Sequence, residues 1–363
     1  MIRKILADYP SSETISFNGD DITDRENLSI NSLEKLRLFV EQKRIISIDE
    51  AQKIKNIGNT LKLLIDFYGD TKQIIVTGSS SINLLDQTHE PLTGRKIVYY
   101  MYPISALEII QKHDIRIFDA QRDTFLIYGM YPQSLNHTSI SGKIETLREL
   151  SNASLYRDIL EFQHVKNSDT IIKLLKLVAL QIGKEVSIHE LATQLGIDTK
   201  TVDRYIDLLE KSFLIFRLPP YFTNKRKELS KAHKIYFWDL GIRNALINDF
   251  NTLENRRDIG DLWENFLIVE RLKRKSYKQI YANSYFWRTY AQQEIDYIED
   301  VDGKLMAYEC KWGDKQVKVP PSFLTNYPDS VFKTINRENY LEFILSSESA
   351  KVAIEKAGGS ANV

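Results

Sequence analysis

Short apolar runs that end in polar residues alternate with stretches of helical periodicity over residues 1–112. Short continuous apolar runs are typical of buried strands, whereas apolar residues three and four apart predict amphipathic helices. The predicted strands cover residues 14–17, 44–48 and 72–77, and the predicted helices cover residues 33–42 and 61–68. Strands that alternate with helices predict a mostly parallel α/β sheet, in which ligands bind beyond the carboxyl ends of the strands.

Residues 113–233 have mainly helical periodicity, and residues 234–345 return to a mixture of helices and strands. In the middle part we expect a helix over residues 168–182 and then a helix–turn–helix–strand segment over residues 187–221. In the last part we expect a strand over 235–238, a helix over 262–274, and a meander of strands over 279–282, 285–288, 294–300 and 304–311. Residues 346–363 are expected to form a flexible tail.

The 363-residue chain carries 49 basic and 49 acidic residues, so no overall basic excess marks it as a nucleic-acid-binding or membrane-surface protein. It has one cysteine, Cys310, which excludes an internal disulfide framework and fits a reducing compartment. No apolar run reaches the roughly 18 residues that a membrane helix requires. We therefore expect a multidomain cytoplasmic protein without a membrane segment.

Two adjacent carboxylates, Asp49 and Glu50, directly follow a buried apolar run. In a nucleotide-binding sheet, the first carboxylate of such a pair holds Mg²⁺ and the second polarises the attacking water. Ser79 lies just after the next strand and is a candidate to contact a phosphate, and Arg95 follows a turn and is a candidate to stabilise a transferred phosphoryl group. Each feature also fits an ordinary surface, with exposed acids at a strand end and a solvated arginine.

The helix–turn–helix segment over residues 187–221 carries a second set of candidates. Lys200 and Arg204 are four residues apart and share one face of the second helix, as in a helix that enters the major groove of DNA. Five cations that could contact phosphates follow between residues 221 and 234, namely Lys225, Arg226, Lys227, Lys231 and Lys234. Asp203, Asp207 and Glu210 on the same helix would repel DNA, so a protein-docking or purely structural module is the alternative.

A third set lies near the carboxyl end of the chain, where Asp296 is followed, across an Asp-Gly turn, by Glu309-x-Lys311. The period of two in a strand places Glu309 and Lys311 on one face, and a hairpin would place Asp296 opposite them. Two carboxylates can hold Mg²⁺, and the lysine can orient water or stabilise developing charge. Glu264 on the preceding helix is a further candidate ligand. Simple cross-strand charge pairing is the alternative.

In order and spacing, these segments resemble the prokaryotic AAA-type ATPases that carry an uncharacterised C-terminal domain. The segments that carry the resemblance are Ile46-Ser47-Ile48-Asp49-Glu50-Ala51-Gln52-Lys53, Thr77-Gly78-Ser79-Ser80-Ser81, Leu92-Thr93-Gly94-Arg95, Tyr102-Pro103-Ile104-Ser105 and Tyr128-Gly129-Met130-Tyr131-Pro132. The resemblance implies an ATPase domain over residues 1–112, a helical and winged-helix domain over 113–233, and a domain similar to the PD-(D/E)XK nucleases over 234–345. It also implies ATP and Mg²⁺ as cofactors.

The chain departs from that family in lacking the phosphate-binding loop Gly-x-x-x-x-Gly-Lys-Ser/Thr. Residues 1–9 resemble the remainder of the helix that follows this loop, so the expected nucleotide-binding sheet is incomplete. Two explanations stay open: the sequence starts at an internal methionine of a longer protein, or the protein has lost the loop. In either case the chain as written is expected not to bind ATP.

Two functions follow from these patterns. The first is an ATP-dependent AAA-type switch protein that acts on DNA through its winged-helix and nuclease-like domains. The second is a non-catalytic adaptor that binds DNA or protein and retains relics of both sites. DNA and further copies of the chain are the candidate partners.

Overall fold

The computed structural model describes residues 2–29, 32–78, 92–154, 168–222, 233–289 and 291–345. The chain divides into two compact units, Met1–Tyr99 and Tyr100–Val363. The architecture is mixed α/β, with a parallel sheet in the first unit and helices followed by a second, mostly antiparallel sheet later in the chain. The expected fold class is confirmed at this level.

The first unit contains a three-stranded parallel sheet in the order β1-β2-β3. The strands are β1 (Thr14–Asn18), β2 (Ile45–Asp49) and β3 (Gln73–Val76). The central strand β2 is buried along its whole length except at Asp49, because it has a neighbour on each side and helices packed against it. All three strands run in the same direction, so their carboxyl ends lie at one edge of the sheet, as the sequence predicted.

The helices of the first unit supply the apolar cover of this sheet. They are α1 (Ile2–Ala7), α2 (Ile22–Leu28), α3 (Leu33–Val40) and α4 (Ile57–Tyr68). Leu36 of α3 and Leu64 of α4 are fully buried in the same cluster as Ile46 of β2. The carboxyl end of α3 is capped by the ammonium of Lys72. It donates to the carbonyls of Val40, Glu41 and Lys43 at 2.8, 2.8 and 2.5 Å.

The second unit begins with short helices. They are α5 (Ala106–Lys112), α6 (Ile115–Ala120), α7 (Arg122–Tyr128), α8 (Pro132–Leu135) and α9 (Ile140–Glu149). Ser105 starts α5 with a full capping box, in which its hydroxyl accepts from the Glu108 amide and the Glu108 carboxylate accepts from the Ser105 amide at 2.8 Å. This part is helical, as its periodicity indicated.

Next follow three helices and a small antiparallel sheet in the order β4-β6-β5. In chain order the elements are α10 (Ser168–Leu180), β4 (Glu185–Val186), α11 (Ile188–Leu195), α12 (Thr199–Lys211), β5 (Ile215–Leu218) and β6 (His233–Phe237). Gly196 ends α11 at φ 66°, and Asp198 caps α12 through the Thr201 amide at 2.9 Å. The predicted helix–turn–helix is therefore present between Ser187 and Lys211.

The last part is built on a four-stranded sheet in the order β10-β9-β8-β7. Its elements are α13 (Leu240–Ile247), α14 (Ile259–Tyr277), β7 (Asn283–Arg288), β8 (Glu294–Val301), β9 (Lys304–Cys310), α15 (Pro321–Asn326), β10 (Val331–Ile335) and α16 (Tyr340–Leu345). Strands β7, β8 and β9 form an antiparallel meander, whereas β10 runs parallel to β9.

One expectation for this sheet was wrong, and one of its strands was not predicted. Residues 279–282 are not a strand, because α14 continues to Tyr277 and the chain then turns through Gln279 at φ 52° before β7 begins. The parallel edge strand β10 was not predicted, since Val331–Ile335 is short and only its last two residues are buried.

Asn265 in α14 fixes the long helix to the small sheet. Its side chain accepts from the Phe237 amide at 2.8 Å and donates to the Phe237 carbonyl at 2.9 Å. This interaction satisfies both backbone groups of Phe237 at the end of β6. The helix α14 also contacts β9, so it touches both sheets of the second unit.

Near the start of α14, the buried guanidinium groups of Arg243 and Arg256 converge on Asp258, at 2.5 and 2.8 Å. Burial alone would raise the pKa of the Asp258 carboxyl, but the hydrogen bonds and charges of Arg256 and Arg243 outweigh it and lower this pKa to about 2. A carboxyl whose pKa is lower in the folded state stabilises the fold above its ordinary value of 3.8, and this contribution is lost as the pH falls towards 2.

We predict that Asp258→Asn lowers the free energy of unfolding by about 2 kcal/mol at pH 7, and that the difference shrinks below about pH 4. Urea titrations at both pH values measure the effect. Asp123→Asn removes an exposed partner of Arg122 and is the control, with an expected change below about 1 kcal/mol. An equal loss at low pH would contradict this interpretation.

Candidate functional site

The β8–β9 hairpin brings together Asp296, Glu309 and Lys311. Tyr297 pairs with Tyr308 in the register of these strands, which places Asp296 opposite Glu309. The Lys311 ammonium lies 2.7 Å from Glu309 Oε1 and 4.0 Å from Asp296 Oδ2. These residues are therefore neighbours, as the strand period implied, and their roles in chemistry stay a prediction.

Asp296 is held in place by the backbone of the neighbouring strand, since the amide of Cys310 donates to its Oδ2 at 2.8 Å. Its carboxylate is mostly buried, and so is that of Glu309, with side-chain exposures of 10% and 12%. Lys311 is 37% exposed, which leaves its ammonium accessible to a substrate.

Glu264, the further predicted ligand, lies on α14 and has a cation as its partner. Lys234 of β6 donates to Glu264 Oε1 at 3.0 Å, and the Tyr236 hydroxyl donates to the same oxygen at 2.5 Å. The Lys234 ammonium also lies 2.5 Å from Glu294 and 3.7 Å from Asp296. We call these residues the carboxylate–lysine cluster: Lys234, Glu264, Glu294, Asp296, Glu309 and Lys311.

The position of Lys234 corrects the sequence interpretation, which counted it among solvent cations that could contact phosphates. Its side chain is only 2% exposed, because β6 is the central strand of the small sheet and the ammonium points to the carboxylates. The burial of Lys234 could have been inferred from its position directly before the apolar run Ile235-Tyr236-Phe237. Strand alternation places Lys234 on the same face as Tyr236, which is buried.

The cluster carries more negative charge than its lysines balance. Burial and the neighbouring Asp296 raise the pKa of Glu264 to about 8, although Lys234 opposes this shift. Burial and Asp296 also raise the pKa of Glu309 above its ordinary value. Burial alone would lower the pKa of Lys311, but Asp296 and Glu309 raise it. Such crowding of like charges is typical of sites that take up a cation or a proton.

The donor atoms of the cluster suit a hard divalent cation better than zinc. The described part of the chain has no group of three or more His, Cys, Asp or Glu side chains arranged around one point. Mg²⁺, however, is commonly held by one or two carboxylates together with several waters. Asp296 and Glu309 provide such a pair.

A second candidate site lies at the carboxyl edge of the sheet in the first unit. Asp49 ends β2, and its carboxylate accepts a hydrogen bond from the hydroxyl of Thr77, which follows β3. Glu50 has a left-handed backbone at φ 50°, and its carboxylate accepts from the Gln52 amide group at 2.7 Å. The two acids thus lie where a nucleotide-binding sheet would place them, and their catalytic role stays a prediction.

Gly19 packs directly beneath this acid pair. Its amide donates to the Asp49 carbonyl at 2.8 Å, and a β-carbon added to it would lie 2.1 Å from the Glu50 carbonyl oxygen. A glycine is therefore required for the close approach of the two loops.

Arg95 lies away from the acid pair within the first unit. Its guanidinium forms an ion pair with Asp66 of α4. Because α4 connects two parallel strands, it runs back from their carboxyl ends, and Asp66 lies ~14 Å along it from Ile57. Arg95 is thus placed towards the amino ends of the strands. The predicted contact residue Ser79 lies outside the described residues.

The exposed side chains of Lys200 and Arg204 lie on α12, as the sequence predicted. The acids of this helix are engaged by Arg217 of β5, which contacts Asp203 at 3.3 Å, Glu210 at 2.8 Å and also Asp207. This arginine offsets much of the negative charge that would repel DNA, and the sequence pattern gave no sign of it. Lys225, Arg226 and Lys227 lie outside the described residues.

Comparisons with known protein families divide the chain into three matched regions. Residues 1–110 match a family described as an AAA domain, a class that in general uses ATP and Mg²⁺. Residues 119–253 and 259–336 match two families described as domains of unknown function, DUF8612 and DUF4143 respectively. The resemblance to an AAA-type protein is thereby supported at the amino-terminal part of the chain.

The relatives found by sequence comparison are uncharacterized proteins. One from Mycobacterium tuberculosis is 25% identical over 74% of this chain and 58% of its own length. Another from Methanocaldococcus jannaschii is 23% identical over 82% of this chain and 67% of its own length, and one from Haemophilus influenzae is 23% identical over 67% and 59%. The chain thus spans 58% of the mycobacterial relative. Among the described helices, none is both long and apolar enough to cross a bilayer.

We predict that Gly19→Ala disturbs the acid pair, because the new methyl group would overlap the Glu50 carbonyl. Hydrogen–deuterium exchange over residues 45–51 should become at least about tenfold faster, which corresponds to a local loss of about 1.4 kcal/mol. Gly260→Ala is the matched control, since a β-carbon there meets no atom within 4 Å. Unchanged exchange in Gly19→Ala would refute the close packing described.

Proposed function

We propose that this protein is an AAA-type switch protein of an ATP-dependent kind that acts on DNA through a winged-helix module and a metal-dependent phosphodiesterase site. As written, the chain lacks the phosphate-binding loop and would not bind ATP. The observation that carries the proposal is the meeting of Asp296, Glu309 and Lys311 across the β8–β9 hairpin. The domains would be residues 1–112, 113–233 and 234–345, followed by the segment 346–363.

The proposed phosphodiesterase site rests on the chemistry of its side chains. Asp296 and Glu309 would hold one Mg²⁺, which when bound supplies Lewis-acid activation of a phosphodiester. Lys311, which is exposed beside both carboxylates, would orient the attacking water and offset negative charge on the phosphorus oxygens. This arrangement of Asp, Glu-x-Lys and a mixed sheet supports the resemblance to the PD-(D/E)XK nucleases.

The winged-helix proposal is supported by the order of elements α10, β4, α11, α12, β5 and β6 and by the sheet order β4-β6-β5. In this arrangement α12 would be the recognition helix, and Lys200 and Arg204 would contact DNA phosphates or bases. The segment that contains Lys225, Arg226 and Lys227 joins β5 to β6 and would add further phosphate contacts.

The two proposed DNA-directed parts are joined within the second unit. The Phe286 amide of β7 donates to the Pro219 carbonyl at 3.0 Å, and the Tyr221 amide donates to the Phe286 carbonyl at 2.7 Å. Arg288 of β7 also lies 3.0 Å from Glu185 of β4. These bonds would hold the recognition helix at a fixed distance from the cleavage site.

The ATPase part of the proposal rests on the AAA match and on the acid pair at the edge of the parallel sheet. In a form that carries the phosphate-binding loop, Asp49 would hold Mg²⁺, Glu50 would polarise water, and Ser79 would contact the nucleotide. Arg95, which is bound to Asp66 towards the other end of the strands, would serve a nucleotide on a second copy of the chain, as arginines supplied in trans do.

We predict that the protein nicks supercoiled DNA in the presence of Mg²⁺ or Mn²⁺, and that Asp296→Ala and Glu309→Ala each lower the rate by about 100-fold or more. Gel analysis of nicked plasmid with and without a chelator measures this activity. Glu338→Ala alters an exposed acid near β10 and should leave the rate unchanged. Nicking that survives both active-site changes, or no nicking at all, would instead favour a non-catalytic adaptor.

We also predict that Lys200→Ala combined with Arg204→Ala weakens DNA binding by about tenfold and lowers the slope of log affinity against log salt by roughly 2. Fluorescence anisotropy of a labelled duplex at several salt concentrations measures both quantities. The matched double variant Lys173→Ala and Lys176→Ala changes two exposed cations of α10 in the same module. Equal losses in the two double variants would speak against α12 as the contact helix.

A further inference from the structure

Lys234 occupies the interior of the carboxylate–lysine cluster. Its ammonium lies 3.0 Å from Glu264 Oε1, 2.5 Å from Glu294 Oε1 and 3.7 Å from Asp296 Oδ1. These carboxylates come from α14 and β8, whereas the lysine comes from β6. A fixed positive charge therefore lies among three carboxylates contributed by two different elements.

The two oxygens of Asp296 face different cations. Oδ1 is the atom near Lys234, while Oδ2 accepts from the Cys310 amide and lies on the side of Lys311. Glu264 Oε1 is already engaged by Lys234 and by the Tyr236 hydroxyl. In two-metal phosphodiesterase sites, a second ion would be expected to share a carboxylate such as Asp296 with the first. In this protein the Lys234 ammonium lies where that second ion would be, on the Oδ1 side of Asp296.

The charge of the cluster is consistent with one further divalent ion. Counted as fully ionised, its four carboxylates face two lysines, which leaves at most two negative charges. Arg288 lies 3.7 Å from Glu294 but is paired more closely with Glu185, at 3.0 Å. One divalent cation would balance the remainder, whereas two would leave an excess of positive charge in a mostly buried site.

We propose that Lys234 takes the place of a second metal ion, so that the site binds a single divalent cation at Asp296 and Glu309 and Glu264 is not a metal ligand. The inference rests on the phosphodiesterase site proposed above. Lys234 is a positioning residue, because its side chain is 2% exposed and cannot touch a substrate.

The test measures how many Mn²⁺ ions the full chain binds after treatment with a chelator. The electron paramagnetic resonance signal of free Mn²⁺ gives both the stoichiometry and the affinity. We expect one Mn²⁺ per chain for the wild type and none for Asp296→Asn. We expect two for Lys234→Gln, with the first ion bound about tenfold more tightly or better, because a positive charge has been removed beside it.

The double variant Lys234→Gln with Glu264→Gln is the control for the second ion, and it should return to one Mn²⁺ per chain. Glu264→Gln alone should keep one ion, with an affinity reduced by at most about tenfold, since it changes a neighbour of the ligands. Circular dichroism establishes that each variant is folded. If Lys234→Gln does not fold, the wild-type stoichiometry and the Glu264→Gln result decide the question.

Two Mn²⁺ ions on the wild type would overturn the inference, and so would loss of binding in Glu264→Gln or a single ion on folded Lys234→Gln. These outcomes leave the proposed phosphodiesterase site standing, because the wild type still binds metal in each of them. Failure of the wild type to bind any Mn²⁺ would overturn the metal-dependent site itself and the inference with it.

Discussion

The structure of the second unit depends on the pairing of the charged side chains that α14 buries. Each would be strongly unfavourable alone, and removal of one partner of such a pair typically costs about 3–5 kcal/mol. The pairs are Glu264 with Lys234 of β6, Glu270 with the Ala106 amide at the start of α5, Arg271 with Glu299 of β8, and Lys275 with Ser284 of β7. One helix thereby fixes four neighbouring segments, and it also fixes the distance between the small sheet and the four-stranded sheet.

The candidate site was predictable where it follows from one strand period and one turn. Glu309 lies on β9 and Lys311 directly follows this strand, and the Asp-Gly turn sets the register that places Asp296 opposite Glu309. The partnership of Lys234 and Glu264 was not predictable, because 30 positions separate the two residues and the link between β6 and α14 is tertiary. A lysine in a basic stretch has the local pattern of a solvent cation, and only the folded sheet turns it inward.

The first unit shows the same difference between features set by local sequence patterns and features set by tertiary contacts. The alternation of strands and helices was sufficient to predict a parallel sheet, and a parallel sheet necessarily brings Asp49 and the residues after β3 to one edge. The contact of Gly19 with the Glu50 carbonyl depends on how two loops approach each other, and no periodicity encodes it. The pairing of Arg95 with Asp66 similarly depends on where the chain returns after residues 79–91, so motif spacing alone could not place this arginine.

Buried ionic networks are weak evidence for stability, since well-packed apolar residues of similar volume often stabilise a fold equally well or better. The carboxylate–lysine cluster is therefore poorly explained as a device for folding alone. Its four carboxylates lie beside one lysine that is enclosed and one that is exposed, at 2% and 37% of the side-chain surface. In the proposed phosphodiesterase site, this asymmetry would separate a charge that orients the carboxylates from one that can meet a substrate, a division of roles that packing alone does not call for.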